Sequence, residues 1–398
     1  MRYILHCDLN NFFASVECLK RPELKNVPMA VAGDPKKRHG IILAKNEHAK
    51  KYGIYTPETV YSALKKCPKL VLVESHHEEY EKYSKLVNNI YLKYTDRVEP
   101  VSIDESFLDV TESIKLFGKP EEIAYKIKEE VKNTLGLTIS VGVSFNRVLA
   151  KMGSDMKKPD AVTVLSPSNF RDRIYKLPID DLLFVGKSLA NSLRKIRINT
   201  IGDLANADVS KIQKKFGKQG VMVYNYANGI DSDYVEYYDT KYVPKSISKG
   251  YTFAEDIKEK RLLEKEIRKI ADYIAKELRK ENLKCKVVCI TLKDENFISI
   301  SRQKTIVKTD LYQDISKCAI KLLNENYVEG KNIRSLTLSV TNLESTNDTK
   351  QLNLFEMSND SKENENKILE NVTKEVDKLK DKYGNNIINF GSVIDSKD

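Results

Sequence analysis

The sequence lacks the features that mark secreted, membrane-spanning and zinc-stabilised proteins. Its six cysteines are scattered and form no C-x-x-C pair, which argues against a zinc site or a disulfide framework and favours reduced thiols. No apolar run approaches the roughly 18 residues that a membrane span needs. A charged carboxylate, Asp8, interrupts the N-terminal apolar segment before a signal-peptide core could form. We therefore expect a cytoplasmic protein without a membrane partner.

The chain is long, basic and rich in periodic apolar segments. It has 398 residues, of which 41% are hydrophobic and 31% charged, and a formal net charge of +10. At about 100 to 200 residues per domain, this length predicts two to four domains. The apolar content argues against an intrinsically disordered chain, and the positive charge favours a polyanionic partner.

The N-terminal part alternates between strand and helix patterns. Strands are predicted at 3–8, 101–103, 107–110, 137–143 and 161–165, and helices at 10–18, 121–135 and 146–152. The polar pair Asp104 and Glu105 separates the second and third strands, as is typical of a hairpin. We expect an α/β domain built around an antiparallel or mixed sheet.

The rest of the chain changes character three times. Residues 166–230 are predicted to form short helices broken by glycines, and residues 231–245 to form a linker. Residues 246–345 predict a second α/β unit in the order β-α-β-β-α-β. In the polar tail that follows, one apolar face predicts a short amphipathic helix ending at Gly384, and this face comprises Ile368, Leu369, Val372, Val376 and Leu379.

Three acidic residues lie at the ends of predicted strands. Asp8 ends the first strand, and Asp104 and Glu105 lie in the predicted hairpin. If these strands are neighbours in one sheet, the carboxylates converge, and converging carboxylates repel one another unless cations lie between them. Two Mg²⁺ ions about 3.5 to 4 Å apart are the usual arrangement for in-line phosphoryl transfer. Each acid taken alone is better interpreted as an ordinary strand-end or turn residue.

Four motifs, in order along the chain, resemble those of one enzyme family. They are DLNNFFASVE at 8–17, SIDES at 102–106, SVGVSFN at 140–146, and LAK with SDMKKP at 149–159. These segments are similar to the motifs of the Y-family DNA polymerases, and the match extends over residues 1–345. The chain most resembles the DinB, or DNA polymerase IV, branch of that family.

The resemblance implies a multidomain α/β (α+β) protein with the right-hand polymerase arrangement. Its implied parts are a palm (1–10 and 75–165), fingers (11–74), a thumb of tandem helix-hairpin-helix-like units (166–230), a linker (231–245), a β-α-β-β-α-β little finger (246–345) and a tail (346–398). The implied activity is error-prone, low-processivity translesion synthesis by a monomer that adds dNTPs to the primer of a primer-template DNA. We expect the active enzyme to associate with the bacterial nucleoid.

The family match also assigns roles to residues of the active site. Asp8, Asp104 and Glu105 are the implied catalytic acids, and with the backbone carbonyl of Leu9 they would ligate two Mg²⁺ ions. Phe13 would select the sugar, because a ring packed against C2′ leaves no room for a 2′-hydroxyl. The implied triphosphate contacts are Phe12, Lys50 and Lys158.

The sequence departs from the family pattern at two places. Asn10 replaces a frequent Asp, which is not one of the three central acids. In the fingers, Lys50 stands where Arg is usual and Glu47 where Tyr is usual. Lysine keeps the charge but loses the bidentate geometry of arginine, and we expect the like-charged Glu47 to point away from the triphosphate.

Glycines just before predicted helices, together with lysines, indicate contacts with the DNA backbone in the thumb. The little-finger strands carry further basic residues. The expected DNA contacts are Gly186, Lys187, Lys215, Gly217 and Lys218 in the thumb, and Arg302, Lys304 and Arg334 in the little finger. Each of these residues alone is also compatible with an ordinary turn or a solvated surface.

The tail contains a pentapeptide, QLNLF at 351–355, that resembles the sliding-clamp-binding motif of bacterial polymerases. A glutamine would orient the peptide, and apolar side chains would enter a pocket of the clamp β subunit from a flexible tether. The predicted clamp contacts are Gln351, Leu352, Leu354 and Phe355. Incidental packing of this segment is the alternative.

Two other classes of protein remain to be weighed against a polymerase. Nucleotidyl cyclases also have a palm-type sheet with paired acids, but they carry a Gly-Gly-Asp/Glu-Glu-Phe hairpin, which Ile103-Asp104-Glu105-Ser106 does not match. A catalytically weak DNA- and clamp-binding protein of the same family is the second alternative. Such a scaffold should have lost its metal-binding acids, whereas all three are present.

Overall fold

The computed structural model describes residues 1–34, 38, 40–346, 372–373, 375–384 and 387–388. It divides into two compact units, residues 1–35 with 40–241 and residues 36–39 with 242–398. The six cysteines are free thiols, and five of them are buried. Within the described ranges, no helix is both long enough and apolar enough to cross a membrane.

The first 74 residues contribute one long buried strand and a small separate sheet. Their elements are β1 (Ile4–Leu9), α1 (Phe12–Lys20), β2 (Met29–Ala32), β3 (Ile42–Lys45), α2 (Glu47–Lys50), α3 (Val60–Lys66) and β4 (Val71–Val73). The small sheet has the order β3-β2-β4. Asn46 begins α2, because its side chain accepts a hydrogen bond from the Ala49 amide and donates one to the Val27 carbonyl.

Residues 75–165 complete the central sheet of the first unit. Their elements are α4 (His77–Tyr91), β5 (Val98–Pro100), β6 (Glu105–Asp109), α5 (Ile114–Phe117), α6 (Pro120–Leu135), β7 (Ile139–Ser144), α7 (Arg147–Met156) and β8 (Val162–Leu165). The strand order is β5-β6-β1-β7-β8, antiparallel except between β7 and β8. The predicted mixed sheet is therefore confirmed. The predicted helix at 121–135 is α6, and Gly136 ends it in the left-handed conformation (φ 69°).

One strand prediction in the hairpin is wrong. The strand predicted at 101–103 is displaced to Val98–Pro100, and residues 101–104 form the turn that leads into β6. The side chain of Val101 is 45% exposed. An apolar β-branched residue in a tight turn resembles a strand residue when only the sequence is read.

The predicted helical region after β8 contains α8 (Phe170–Ile174), α9 (Lys187–Arg194), α10 (Ile201–Ala205) and α11 (Val209–Ala227). Gly217 interrupts α11 with a positive φ of 61°, so this element is two helices joined at a kink. Thr200 and Asp203 form a reciprocal capping box at the start of α10. A buried cluster that includes Ile174, Leu193, Ile201 and Val223 holds these helices together.

The first part of the predicted linker, residues 231–241, belongs to the first unit. It has no helix or strand, as predicted, but several side chains fix it to the sheet domain. Arg2 donates to the carbonyls of Asp231 and Asp233, and Arg147 donates to that of Tyr234. Val235 is fully buried. Within the linker predicted at 231–245, only residues 242–245 are assigned to the other unit.

The second unit has the predicted order β-α-β-β-α-β. Its elements are β9 (Ser246–Ile257), α12 (Lys260–Lys280), β10 (Leu283–Asp294), β11 (Ser299–Thr309), α13 (Tyr312–Asn326) and β12 (Ile333–Ser345). The sheet order is β11-β10-β12-β9, antiparallel throughout. Apolar faces of α12 and α13 pack against one side of this sheet and form its core.

Described parts of the tail include a helix at 375–383, which ends at Gly384 as predicted. It contacts α12 through ion pairs rather than through a fully buried apolar face. Arg279 holds Asp377 with two nitrogens, at 2.6 and 3.0 Å, and Lys380 pairs with Asp272 at 2.6 Å. The side chain of Leu379 is 43% exposed.

Candidate functional site

The register of the central sheet brings two of the predicted acids together. Strands β1 and β6 are antiparallel, and Asp8 is the direct cross-strand partner of Glu105. The Leu9 amide donates to the Asp104 carbonyl at 2.9 Å, which continues this pairing to the end of the strand. Asp8 is 6% exposed, whereas Glu105 is only partly buried. An acidic edge therefore forms where β1 ends and β6 begins.

Two lysines neutralise this acidic edge. Lys151, on α7, places its Nζ 2.8 Å from Glu105 Oε1 and 3.2 Å from Asp8 Oδ2. Lys158, just beyond α7, lies 2.8 Å from the same Asp8 oxygen. Both ammonium groups also pair with Asp155, at 3.4 and 2.8 Å respectively. The cluster thus alternates acids and bases across β1, β6 and α7.

A buried histidine lies beneath this cluster. His6 is fully buried on β1, with Nε2 3.3 Å from Glu105 Oε2 and Nδ1 2.8 Å from Ser154 Oγ. The contact with His6 lowers the pKa of Glu105. Burial raises this pKa, and Lys151 lowers it further. Burial raises the pKa of Asp8, although Lys158 and Lys151 act against this effect. The two carboxyl groups therefore have different proton affinities although they face each other.

The third acid takes a different orientation. Asp104 is the last residue of the turn before β6, and its carboxylate accepts a hydrogen bond from Ser102 Oγ at 2.7 Å. Among the described residues, no group of three or more His, Cys, Asp or Glu side chains is arranged to hold a metal ion. The structure thus brings Asp8 and Glu105 together and leaves the Asp104 carboxylate on its own turn.

The residues present nevertheless suit a divalent cation. Carboxylate and carbonyl oxygens are hard ligands, and Asp8 and Glu105 present such oxygens to one shared ammonium group. Removing that ammonium from between them would leave two facing carboxylates in need of a counter-charge. Asp8 and Glu105, with Asp104 next in the chain, are the residues that would hold such an ion.

The two phenylalanines of α1 have different environments. The Phe13 ring is partly buried and stacks on Tyr80, with centroids 4.2 Å apart and planes 11° apart. It also meets the edge of His77 at 5.7 Å. Phe12 is 3% exposed and belongs to the sheet core. Of the predicted triphosphate contacts, Phe12 can therefore contribute only through its backbone.

The two departures from the family pattern have definite partners. Asn10 donates to Ser140 Oγ at 2.9 Å and accepts from the Asp160 amide at 2.8 Å, so it joins three segments of the first unit. Glu47 accepts a hydrogen bond from the Asn11 side chain at 2.9 Å and lies 3.8 Å from Lys50 Nζ. Glu47 therefore lies against the segment that follows the acidic edge, beside the lysine predicted to bind the triphosphate.

The predicted DNA contacts of the thumb are exposed and lie at helix ends. Gly186 immediately precedes α9, and Gly217 forms the kink of α11. The side chains of Lys187, Lys215 and Lys218 are exposed around these two points. The structure agrees with the predicted geometry of backbone amides beside lysines, and the contacts with DNA remain predictions.

Two of the predicted DNA contacts in the little finger lie on the same side of its sheet as the helices. Arg302 and Lys304 share a face of β11 with Ile300 and Ile306, which pack against the core under the helices. Arg302 Nε donates to Asn326 on α13 at 3.1 Å. Arg334 stacks on Phe297, with its guanidinium carbon 4.8 Å from the ring centroid.

The open face of the same sheet carries small polar side chains instead. The register of the four strands places these small side chains on one face of the sheet. They include Ser248, Thr291, Ser301, Thr337 and Ser339. Thr291 and Ser301 are hydrogen-bonded at 3.0 Å. Arg302 and Lys304 lie on the other side of β11, because a strand alternates its sides at every residue, and their contacts with DNA remain predictions.

Sequence reasoning missed two contributors to the acidic cluster. Lys151 was within a motif that resembled the family, but nothing in the spacing placed its ammonium between two carboxylates. The signal for His6 was its position two residues before Asp8, on the same side of a strand. The predicted clamp contacts Gln351, Leu352, Leu354 and Phe355 lie outside the described residues.

Comparison with protein families agrees with this architecture. Residues 7–155 match the impB/mucB/samB family, and residues 244–354 match the C-terminal domain of that family. Residues 180–231 match the thumb domain of DNA polymerase iota. Together these matches include the acidic edge, the helical region and the second unit.

Individual proteins extend the likeness over nearly the whole chain. A DNA polymerase IV of Acetivibrio thermocellus is 42% identical over 384 residues, covering 96% of this chain and 95% of that protein. One from Clostridium kluyveri is 37% identical, covering 99% and 98%. Among solved structures, a Y-family DNA polymerase chimera has a TM-score of 0.77 at 24% identity, covering 86% of this chain and 99% of that one. The chain therefore belongs to the impB/mucB/samB family of Y-family DNA polymerases, in its DNA polymerase IV branch.

Proposed function

We propose that this protein extends a DNA primer on a template by two-metal phosphoryl transfer, with low accuracy and low processivity, across damaged template. The observation that carries the proposal is the pairing of Asp8 with Glu105 at the end of β1, where the ammonium groups of Lys151 and Lys158 neutralise the two acids. Catalysis of phosphoryl transfer depends mainly on positioning the reacting groups and neutralising the charge of the phosphates. The carboxylates at this edge are held in place by the sheet and could bind the cations that do both.

The roles of the site residues follow from their positions. Two Mg²⁺ ions would be held by Asp8, Asp104, Glu105 and the Leu9 carbonyl. When bound, they would neutralise the phosphates and activate the primer 3′-hydroxyl. Lys158 and Lys50 would bind the triphosphate, and the Phe12 backbone would support it. Phe13, held against Tyr80, would exclude a 2′-hydroxyl.

Primer-template DNA would be held by the thumb and the little finger. In the thumb, backbone amides near Gly186 and Gly217 would face phosphates, with adjacent lysines adding charge. In the little finger, Arg302, Lys304 and Arg334 would contact the phosphates of the duplex. Such contacts ignore sequence, as a polymerase requires. We expect a monomer that works at the nucleoid, where its substrate lies.

Recruitment would depend on the pentapeptide at 351–355. An equilibrium binding measurement with the sliding clamp of the same organism tests this role. Replacing Leu354 and Phe355 by Ala should weaken binding at least about tenfold, because buried apolar anchors dominate such interfaces. Asn353→Ala, between the anchors, serves as the matched control. Equal affinity of the double variant and the unchanged chain would remove the clamp from the proposal.

Primer extension is the direct test of the catalytic assignment. Asp8→Asn and Asp104→Asn should each lower nucleotide addition by at least about a thousandfold while leaving DNA affinity within about twofold. Asp172→Asn, on an exposed face of α8, is the control for loss of one acid. Extension by Asp8→Asn at the rate of the control would refute the assignment. Absence of extension by the unchanged chain, with DNA and clamp binding retained, would favour the catalytically weak scaffold.

Bypass of lesions is measured separately on templates that carry single defined lesions. We expect insertion opposite at least one lesion and a higher error rate on undamaged template than that of a replicative polymerase. Accurate synthesis with arrest at every lesion would contradict the proposed biological role but leave the polymerase assignment intact.

A further inference from the structure

Lys151 lies among carboxylates, a position that the sequence motif did not predict. Its side chain is 16% exposed, and its Nζ contacts three carboxylates. Asp8 Oδ2 lies at 3.2 Å, Glu105 Oε1 at 2.8 Å and Asp155 Oδ2 at 3.4 Å. The ammonium therefore bridges β1 and β6 from the adjacent helix α7.

This position conflicts with a cation bound by the same oxygens. Mg²⁺ binds carboxylate oxygens at about 2.0 to 2.1 Å. A cation held by Asp8 and Glu105 would compete with Lys151 for the same two carboxylates. Two positive groups cannot share that space, because their repulsion in a partly buried site is strong. Lys151 must turn away when the ion arrives.

A second partner for the displaced ammonium is already present. Asp155 lies one helical turn after Lys151 and contacts it from the solvent side, with its carboxylate half exposed. Its other oxygen holds Lys158 at 2.8 Å. Both lysines can thus leave the acidic edge while remaining paired with Asp155.

We propose that Lys151 is an internal counter-ion that holds Asp8 and Glu105 in place until a divalent cation displaces it. It is a positioning residue, since it acts through the two carboxylates. Cation binding to the enzyme alone is then weakened by competition with Lys151. A bound triphosphate, by offering negative charge to the lysines, relieves this competition and couples cation binding to nucleotide binding. The inference rests on the cation site of the proposed function.

Direct cation binding tests the proposal without measuring activity. Mn²⁺ binding to the full chain, free of DNA and nucleotide, is followed by electron paramagnetic resonance for the unchanged protein, Lys151→Met and Lys157→Met. Lys157 is exposed, lies just after the same helix and controls for the loss of one positive charge. Lys151→Met should bind Mn²⁺ at least about fivefold more tightly than the unchanged chain, because a competing positive charge is removed. Lys157→Met should change the affinity for Mn²⁺ less than about twofold.

Thermal stability provides the second readout. In EDTA, Lys151→Met should melt at a lower temperature than the unchanged chain, because two facing carboxylates lose their counter-charge, and Mg²⁺ should restore most of the loss. Lys157→Met should show neither effect. If Lys151→Met does not fold, Lys151→Gln, which keeps a polar donor, is measured in its place with the same expectation.

The outcomes separate this inference from the function on which it rests. Mn²⁺ affinity that is equal in the unchanged chain and in Asp8→Asn would show that the proposed cation site is absent. Mn²⁺ binding that depends on Asp8 but is unchanged or weaker in Lys151→Met would overturn only the counter-ion role. Tighter binding in Lys151→Met and Lys157→Met alike would also overturn it, since the effect would then be general charge.

Discussion

The Phe13 ring is held in place by the residues packed behind it. Its ring stacks on Tyr80, which is fully buried and donates its hydroxyl to Glu17 Oε1 at 2.7 Å. Glu17 is itself 1% exposed and paired with Arg21 at 2.7 Å. A ring supported in this way cannot retreat from a larger substrate without breaking buried hydrogen bonds.

Sugar discrimination should therefore fall when the Phe13 ring is removed. Phe13→Ala is expected to lower the ratio of kcat/KM for a dNTP over the matching ribonucleotide by about tenfold or more, because space opens beside C2′. The ratio is measured by single-nucleotide extension of one primer. Phe13→Tyr, which keeps an aromatic ring at this position, is the control. An unchanged ratio in Phe13→Ala would contradict the sugar-selecting role.

At this scale the sequence predicted residue identities better than residue partners. Asp8, Glu105 and Phe13 were found because they lie in motifs that resemble a family. Tyr80, which supports Phe13, comes from a distant segment, so only the folded chain brings the two rings into contact. The same limit explains Asp104, whose carboxylate pairs with Ser102 rather than with Asp8.

Among the elements, the contact between β7 and α7 does most to position the acidic cluster. Gly142 on β7 faces the α7 backbone, and a Cβ atom there would overlap the Ala150 carbonyl and the Ser154 amide. Gly153 on α7 makes the reciprocal approach toward Gly142. Two glycines thus allow the helix to lie close enough for Lys151 to reach across β1.

Substitution of Gly142 should be costly for this reason. Gly142→Ala is expected to lower the free energy of unfolding by about 1 to 3 kcal/mol or more, because the obstacle is backbone and cannot rotate away. Urea denaturation measures the change. Gly186→Ala is the matched control, since a Cβ atom at Gly186 meets nothing within 4 Å and its φ is −77°. Equal stability of the two variants would show that α7 can move without loss.

Element types were predictable where periodicity was strong and ambiguous where it was not. The helix α6 and the order of the second unit follow from regular apolar spacing. The strand predicted at 101–103 failed because Val101 and Ile103 are β-branched yet lie in a turn, and local propensity does not distinguish the two.

Across the whole molecule, positive charge is concentrated where DNA is expected to bind. Residues 166–242 carry 12 basic and 9 acidic side chains, and residues 246–345 carry 20 and 15. Residues 350–398 carry 8 and 10, so the segment with the predicted clamp motif has the opposite sign. Length and charge alone predicted several domains and a polyanionic partner. The charge of each region could be counted only after the boundaries between the regions were known.

Salt dependence of DNA binding should report this division. Replacing three thumb lysines by Gln should reduce the slope of log K against log salt concentration by up to about 2.7, since each lost phosphate contact removes about 0.9. The variant combines Lys187→Gln, Lys215→Gln and Lys218→Gln, and the slope is measured by fluorescence anisotropy on a primer-template. Exposed lysines of the sheet domain provide the matched control, with Lys82, Lys85 and Lys115 replaced together. Equal slopes for the two triple variants would mean that the thumb lysines contribute only net charge. A selective loss for the thumb variant would place phosphate contacts at the helix ends near Gly186 and Gly217, because the three replaced lysines lie beside these glycines.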